Sequence, residues 1–303
     1  MAGDDVREPE RSERWDLSEG DEVVPGRTAL QSLGGGWDYE VYLGWDDHLH
    51  SLVVIKLVRP HLVHDDHTLR SLARESGLLD RLAHPVVVRG FDAVLDGDRP
   101  HLVLEHLEGP TLSRTVRKTG PLELHQLVPL AYQLASGLQY LANERVVHLD
   151  VKPGNVILGA PPRLIDLSIA RTVEDAARLR SPVGTDAYMA PEQCDPALAE
   201  VGAAADVWGF GATLYEAVSG VPPFPRPDGF DRQDPRQRFP QILGEPPRPL
   251  TEQPPELGAL VAACLSFAPG ERPSAGEAAD RLEPLIGAMR RGRVLGRSRP
   301  RLR

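Results

Sequence analysis

The order of the predicted elements indicates an α+β protein, because strand-like segments fill much of the first third of the chain and helix-like segments fill most of the rest. Short apolar or alternating runs within residues 28–57 and over 101–107 predict strands. Apolar periodicity predicts helices over 66–83, 124–143, 203–219, 256–265 and 274–289. The proline-rich residues 221–256 predict a loop. A chain of 303 residues has room for a two-lobed domain or for two small domains.

The helix predicted over residues 66–83 carries one side chain that does not match its apolar face. Leu72 and Leu79 share that face at a period near 3.6, and Glu75 falls on it as well. A carboxylate on an apolar face is costly unless it has a partner, although a position at the edge of the face would also explain it.

Charge is unevenly distributed along the chain. The net charge is −10, yet residues 290–303 contain seven arginines and no acidic residue. The acidic body does not favour nucleic-acid binding. The basic tail could contact an acidic partner or a membrane surface, or remain solvated and disordered. We expect a flexible acidic N-terminus over residues 1–21 and a basic disordered tail over 290–303.

Three features predict a cytoplasmic protein. Only Cys194 and Cys264 are present, too few for a disulfide framework or a four-cysteine zinc site, so we expect two ordinary thiols in a reducing compartment. Residues 1–20 are charged and lack the apolar segment of a secretory signal. No run approaches 18 consecutive apolar residues, so no membrane span is expected.

A cluster of three glycines, Gly34, Gly35 and Gly36, forms a turn between two strand-like segments. Glycine lets backbone N–H groups approach phosphate oxygens closely, but a plain hairpin turn would use the same residues. A strand rather than a helix follows the turn, and this excludes a dinucleotide-binding fingerprint.

A lysine interrupts the most apolar of the predicted strands. Lys56 follows Val53, Val54 and Ile55 directly. A buried ammonium needs a carboxylate, a phosphate or both. Glu75 on the apolar helix face is the candidate carboxylate, and each of the two anomalies explains the other.

Four polar residues occur at a spacing suited to phosphoryl transfer. Lys152 and Asn155 follow Asp150 by two and five residues, and Asp166 comes eleven residues after Asn155. Phosphoryl transfer needs tight positioning and charge neutralisation more than covalent chemistry. One carboxylate can orient the attacking hydroxyl, an ammonium can neutralise the transferred group, and an amide and a second carboxylate can hold hard metal ions.

Together these motifs resemble the eukaryotic-type serine/threonine protein kinase family, in its bacterial branch, and the matches span residues 33–272. Residues 184–192 are similar to the end of a kinase activation segment, and residues 206–211 to the buried helix below it. The family also pairs an arginine, here Arg272, with the glutamate matched by Glu192.

This resemblance implies a bilobal protein-kinase-like fold. A small N-lobe over 22–107 would hold an antiparallel sheet and one main helix, and a larger, mostly helical C-lobe would follow over 108–289. It also implies ATP and Mg²⁺ as cofactors and proteins as substrates.

The family's roles can be carried over residue by residue. Asp150 would be the catalytic base, Lys152 would contact the γ-phosphate, and Lys56 would bind the α- and β-phosphates while paired with Glu75. The metal ligands would be Asn155 and Asp166. The remaining nucleotide-binding positions would be Leu33, Gly34, Gly36, Val41, Glu105, Leu107 and Ile157. Of these, Glu105 and Leu107 would bind through backbone groups.

Three positions depart from the family pattern. Tyr39 replaces the third glycine of the loop, where a bulky residue should stiffen the loop or cover the nucleotide. Ser168 replaces the glycine of the metal-binding triplet, and serine tolerates fewer backbone conformations. Leu149 replaces the arginine before the catalytic aspartate.

Two other functions remain open at this stage. A pseudokinase, acting as a nucleotide-binding or scaffold module, would explain Tyr39, Leu149 and Ser168 but not the retained polar residues. A small-molecule phosphotransferase shares the aspartates, but it gives no reason for residues 184–192.

Leu149 generates a prediction about regulation, because the arginine that it replaces grips a phosphorylated activation loop in the family. We expect Thr172→Ala and Ser181→Ala to keep phosphorylation rates within a few-fold of wild type. A fall of about a hundredfold in either variant, roughly 2.7 kcal/mol, would contradict this expectation. Thr185→Ala is a poorer test, because its hydroxyl could assist catalysis directly.

Overall fold

The computed structural model describes residues 13–226 and 229–295, which form two compact units. The first unit contains residues 13–83 and 88–108, and the second contains 84–87 and the described residues from 109 onward. The first is a sheet with one long helix and the second is mostly helical, so the predicted α+β class is confirmed.

A six-stranded antiparallel sheet, in the order β1-β2-β3-β4-β6-β5, forms the first unit. Its strands are β1 (Glu22–Val24), β2 (Arg27–Gly35), β3 (Tyr39–Asp46), β4 (Ser51–Val58), β5 (Gly90–Val94) and β6 (His101–Glu105). Val53, Ile55 and Leu57 of β4 alternate onto one face and are fully buried with Tyr42 and Val103. The strand expected over 101–107 is two residues shorter than predicted, and β5 had no counterpart in the prediction.

The long helix of the first unit, α1 (Asp66–Arg81), begins where a side chain accepts a hydrogen bond from one of its first backbone N–H groups. Asp65 caps it by accepting a hydrogen bond of 2.7 Å from the Thr68 N–H. Leu72, Leu78 and Leu79 are buried on one side, so the amphipathic helix predicted from the sequence is present. It ends two residues before the predicted boundary.

Residues 13–21 are part of the first unit, and the expectation of a flexible N-terminus is wrong for them. The Trp15 indole N–H donates to the Val58 carbonyl at 2.8 Å, and the Trp15 backbone N–H donates to Glu40 Oε1 at 2.8 Å. The Arg99 guanidinium lies 4.7 Å above the Trp15 ring. Trp15 and Leu17 pack on the core of the sheet, and this burial offsets the entropy lost on ordering the segment. Residues 1–12 lie outside the described residues.

Helices dominate the second unit. They are α2 (Leu112–Thr119), α3 (Leu124–Asn143), α4 (Val173–Ala176), α5 (Pro191–Cys194), α6 (Ala203–Ser219), α7 (Pro235–Arg238), α8 (Pro255–Cys264) and α9 (Ala275–Leu295). Every residue of α6 from Ala205 to Val218 is buried. A helix that is apolar on all sides belongs at the centre of a unit, and α6 contacts α2, α3 and α8.

Two short antiparallel ribbons lie beside these helices. They pair β7 (Val146–Val147) with β10 (Arg171–Thr172), and β8 (Val156–Ile157) with β9 (Arg163–Leu164). Residues 84–87 join this unit because the Leu164 N–H donates to the Val86 carbonyl at 2.6 Å. The described part of the proline-rich loop contains only α7 and a 3-10 turn at Pro240–Leu243 up to residue 254, and α8 includes the last two residues of the predicted loop.

The last helix extends into the predicted basic tail. Helix α9 continues to Leu295 and so includes the first six residues of the expected disordered segment, and residues 296–303 lie outside the described residues. Across the described part of the chain, no helix combines the length and apolar character that a membrane crossing requires.

The buried pair of Arg272 and Glu192 generates a stability prediction. Two bonds of 2.6 and 2.8 Å join the side chains, which are 0% and 1% exposed. Arg272→Met should lower the free energy of unfolding by about 3–5 kcal/mol, because it leaves a buried carboxylate without its cation. Urea denaturation measures this change.

Arg178→Met is the control for that measurement. Arg178 is 75% exposed and pairs with Asp175 at 3.4 Å, so its loss should cost less than about 1 kcal/mol. Equal destabilisation by the two substitutions would show that the buried pair contributes no more to the free energy of unfolding than the exposed pair.

Candidate active site

The ion pair expected in the first unit is present. Strand β4 carries Lys56 and helix α1 carries Glu75, and the two side chains are 10% and 2% exposed. Lys56 Nζ donates to Glu75 Oε2 at 2.8 Å and to Oε1 at 3.0 Å. Glu75 therefore does not lie at the edge of the apolar helix face, and its carboxylate offsets the cost of burying the Lys56 ammonium.

Tyr39 contributes to the surroundings of Lys56. The Tyr39 side chain is 7% exposed, and Lys56 Nζ lies 4.7 Å from the ring centroid. The phenol donates a long hydrogen bond of 3.4 Å to the Thr68 carbonyl on α1. Burial raises the pKa of Tyr39 to about 12, so the phenol stays neutral. The ring is packed inside the unit, which corrects the expectation that it would cover a nucleotide.

The glycine turn between β2 and β3 is constrained at one position and open at another. Gly35 has φ +153, and a Cβ there would lie 2.2 Å from the Tyr39 carbonyl oxygen, so the fold itself requires glycine. A Cβ at Gly36 would meet nothing within 4 Å. The Gly36 carbonyl accepts a hydrogen bond of 2.9 Å from Arg59 Nε, which fixes the backbone on that side of the turn.

The backbone just before Asp150 is held by a buried carboxylate to which sequence reasoning did not assign a role. Asp206 on α6 accepts hydrogen bonds from the His148 N–H at 2.7 Å and the Leu149 N–H at 2.8 Å. Burial raises the pKa of Asp206, and the two N–H donors oppose that rise. Leu149 has φ +67, a conformation that is strained for leucine. Its carbonyl accepts from Gln193 Nε2 at 2.8 Å, so hydrogen bonds on both sides stabilise it.

Three donors converge on the carboxylate of Asp150. Lys152 Nζ lies 2.7 Å from Oδ2, Asn155 Nδ2 lies 2.9 Å from Oδ2, and the Thr185 hydroxyl donates to Oδ1 at 2.7 Å. Lys152 Nζ also donates to the Thr185 hydroxyl oxygen at 2.6 Å, so Asp150, Lys152 and Thr185 are each hydrogen-bonded to the other two. Asp150 remains 9% exposed, so the oriented carboxylate can still reach a further hydroxyl. The spacing predicted Lys152 and Asn155 near Asp150, whereas Thr185 lies 35 residues away in sequence.

Asn155 and Asp166 are joined through their backbones. The Asn155 carbonyl accepts from the Ile165 N–H at 2.9 Å, directly before Asp166, and the β8–β9 ribbon follows the same connection. Both donors of the Asn155 amide are directed to Asp150, to its carbonyl and its carboxylate at 2.9 Å each, which leaves Oδ1 for a cation. Asp166 has φ +68, which aspartate tolerates better than most residues.

The metal-binding capacity of the protein alone is limited. In the described ranges, no group of three or more His, Cys, Asp or Glu side chains could hold a metal ion. One amide oxygen and one carboxylate suit a divalent ion that completes its shell with water and phosphate oxygens.

The expected nucleotide-binding positions fall in both units. The first unit contains Leu33, Gly34, Gly36, Val41, Glu105 and Leu107, and the second contains Ile157. Leu33 is 49% exposed, and Val41, Leu107 and Ile157 are half-buried. The Glu105 N–H donates to the Arg89 carbonyl at 3.0 Å, which fixes the backbone at the end of β6.

Comparison with known proteins identifies the class. The family described as the protein kinase domain matches residues 27–282, and the chain therefore belongs to it. Membership implies the use of ATP with a divalent metal ion.

The relatives place it more narrowly. The chain is 36% identical over 232 residues to serine/threonine-protein kinase PkaA of Streptomyces coelicolor, covering 74% of this chain and 41% of that protein. It is 36% identical over 289 residues to serine/threonine-protein kinase pkn2 of Myxococcus xanthus, covering 88% of this chain and 33% of that protein. PknB of Mycobacterium tuberculosis is 31% identical over 202 residues, or 63% of this chain and 32% of that protein.

These relatives confirm the bacterial branch of the eukaryotic-type serine/threonine protein kinase family and the bilobal kinase fold. The chain spans about a third to two fifths of the length of these relatives.

The contact between Tyr39 and Lys56 generates a prediction about ATP use. Tyr39→Leu removes the aromatic face beside the ammonium, worth about 0.5–2 kcal/mol, whereas Tyr39→Phe keeps it. We expect the leucine variant to raise KM for ATP by roughly three- to thirtyfold and the phenylalanine variant to stay near wild type. Steady-state kinetics measures both. Equal impairment would assign the effect to the hydroxyl and contradict the ring contact.

Proposed function

We propose that the protein transfers the γ-phosphoryl group of ATP to serine and threonine hydroxyls of protein substrates. The observation that carries the proposal is the set of three donors around the Asp150 carboxylate, which fixes an acceptor-binding group in one orientation. The serine/threonine-protein kinases among the relatives support the same function.

Asp150 and Lys152 act on the acceptor side of the reaction. Asp150 accepts a hydrogen bond from the substrate hydroxyl, orients its oxygen and takes its proton as the bond to phosphorus forms. Lys152, at 2.7 Å from Asp150, supplies a positive charge that offsets the charge on the transferred group. Thr185 contacts both residues and restrains them relative to one another.

Lys56 binds the α- and β-phosphates of ATP. Glu75 holds its ammonium in place, so little side-chain entropy is lost when the phosphates bind. At Gly36 no contact with the described residues requires a glycine, and this open space is suited to close approach by phosphate oxygens.

The adenine ring would be bound by apolar side chains and by backbone groups. Leu33, Val41 and Ile157 supply the apolar contacts. Glu105 and Leu107 would contact the ring through backbone groups. This assignment rests on the family resemblance and on the exposure of these side chains.

Mg²⁺ is the metal that the available ligands favour. Asn155 and Asp166 offer two hard oxygens, too few for a site made of protein alone, and Mg²⁺ usually keeps several waters and binds substrate phosphates. When bound, the ion offsets the negative charge of the phosphates.

The departures from the family pattern leave this set of residues intact. Tyr39 is packed against Lys56, and Leu149 is held by Asp206 without moving a donor away from Asp150. No specific observation therefore favours a pseudokinase. We also propose that the protein works in the cytoplasm, where ATP is available and where two buried thiols such as Cys194 and Cys264 stay unpaired.

Incubation with labelled ATP and Mg²⁺ tests the function, with one acidic and one basic generic protein as acceptors. Wild type should incorporate label on serine or threonine. Asp150→Asn should reduce the rate by about 10² to 10⁴, because the amide cannot take the proton. Lys56→Met should reduce it by at least about a hundredfold.

Asp66→Asn is the control, because this carboxyl on α1 is 88% exposed and lies outside the proposed site. It should match wild type. If wild type labels neither acceptor while calorimetry still detects ATP binding, the proposed kinase activity is wrong and the protein is a nucleotide-binding scaffold.

A further inference from the structure

Two arginines share a single carboxylate directly beside the proposed acceptor site. Arg238 contacts Asp186 in a bidentate manner, with Nε at 3.0 Å from Oδ2 and Nη2 at 3.1 Å from Oδ1. Arg226 Nη1 lies 3.5 Å from the same Oδ2. Among the side chains described, those of residues 13–226 and 229–288, Asp186 has no other cationic partner and neither arginine pairs with another carboxylate. The cluster therefore carries one positive charge in excess.

Both guanidinium groups are fixed in position and remain accessible. Arg226 lies 4.7 Å above the Phe230 ring, and Arg238 lies 4.7 Å above the Phe239 ring. Their side chains are 24% and 36% exposed, whereas Asp186 is 14% exposed. A ligand arriving from solvent would thus meet arginine before it meets the carboxylate. Because arginine stays protonated at all physiological pH values, the excess charge is permanent.

The cluster is tied to the residues that hold the acceptor. Asp186 follows Thr185, whose hydroxyl donates to Asp150 at 2.7 Å. Gln241 Nε2 donates to the Asp186 carbonyl at 2.8 Å and to the Met189 carbonyl at 3.0 Å, and so joins the segment of the arginines to that of Thr185. Thr185, which contacts Asp150, and Asp186, which binds both arginines, are adjacent residues whose Cα atoms are about 3.8 Å apart. We therefore expect the arginines to lie within reach of residues that flank a serine or threonine bound at Asp150.

We propose that Arg226 and Arg238 form a subsite for an acidic side chain of the substrate, close in sequence to the acceptor hydroxyl. The carboxylate of a substrate aspartate or glutamate would complete the cluster as two arginines and two carboxylates. Guanidinium is the side chain best matched to carboxylate geometry, and such pairs discriminate strongly against like charge. This inference rests on the proposed function, since it names the substrates of that same site.

Fluorescent peptides with one central threonine test the subsite on the full chain. Three peptides differ only in the residues at the three positions on either side of the threonine, which are glutamate, glutamine or lysine. Fluorescence anisotropy gives their affinities without catalysis, and labelled ATP gives kcat/KM. We expect the glutamate peptide to exceed the glutamine peptide about tenfold in both measurements, and the lysine peptide to be weakest.

Substitutions at Arg226 make the test specific. Arg226→Ala should reduce the preference for glutamate to about threefold or less, Arg226→Lys should retain most of it, and Arg226→Glu should reverse it in favour of lysine. Arg236→Ala is the matched control, because this exposed arginine lies on α7, the short helix that also carries Arg238, and its side chain forms no ion pair within the described residues. Its backbone N–H donates to Asp234 Oδ1 at 2.9 Å, a bond that alanine keeps. It should leave the preference unchanged.

The possible outcomes separate the subsite from the kinase activity. Phosphorylation of all three peptides at equal kcat/KM would overturn the subsite and leave the activity standing, as would an unchanged preference in Arg226→Glu. Preferential binding of the glutamate peptide without incorporation of label would support the subsite and overturn the activity.

Discussion

The position of one carboxylate, that of Asp150, is the constraint on which the proposed chemistry depends. A carboxylate that is 9% exposed loses much of its hydration, and three donors within 2.9 Å replace it. Those donors also remove its freedom to rotate. A catalytic base gains from this because the substrate hydroxyl then meets an oxygen whose position is already fixed.

The buried helix α6 supplies the support beneath that carboxylate. Asp206 fixes the backbone just before Asp150, and at Gly209 a Cβ would lie 2.7 Å from the Val151 carbonyl oxygen, so the helix closely approaches the backbone on both sides of Asp150. Trp208 of the same helix lies beneath the Arg272 guanidinium, 5.0 Å from its ring centroid. Through Glu192, Arg272 anchors the end of the segment that carries Thr185. One helix therefore supports both segments whose residues meet at the Asp150 carboxylate.

The residues that could be predicted from sequence were those whose local pattern made them anomalous. Lys56 and Glu75 each interrupt an apolar segment, and their mutual contact follows from the cost of burying either one alone. The prediction for Tyr39 was wrong. Strand alternation shows that Tyr39 shares a face of the sheet with Val41, but it does not show that helix α1 covers the Tyr39 ring. The contact on that helix, Thr68, lies 29 residues further along the chain. Trp15 and Leu17 did carry a signal, as two large apolar residues with alternate spacing in a charged segment.

Contacts between distant segments had no such signal. Arg226 and Arg238 lie 40 and 52 residues beyond Asp186, in a loop whose proline content indicates only that it is not a long helix.

The single-turnover rate of phosphoryl transfer in Thr185→Val and Thr185→Ser tests the role of the Asp150 carboxylate most directly. Valine keeps the shape of threonine without the hydroxyl, and serine keeps the hydroxyl. A hydrogen bond to a charged group contributes about 1.5–3 kcal/mol, so we predict a rate roughly ten- to a hundredfold lower for valine and close to wild type for serine. A valine variant as fast as wild type would contradict the claim that these donors fix the base.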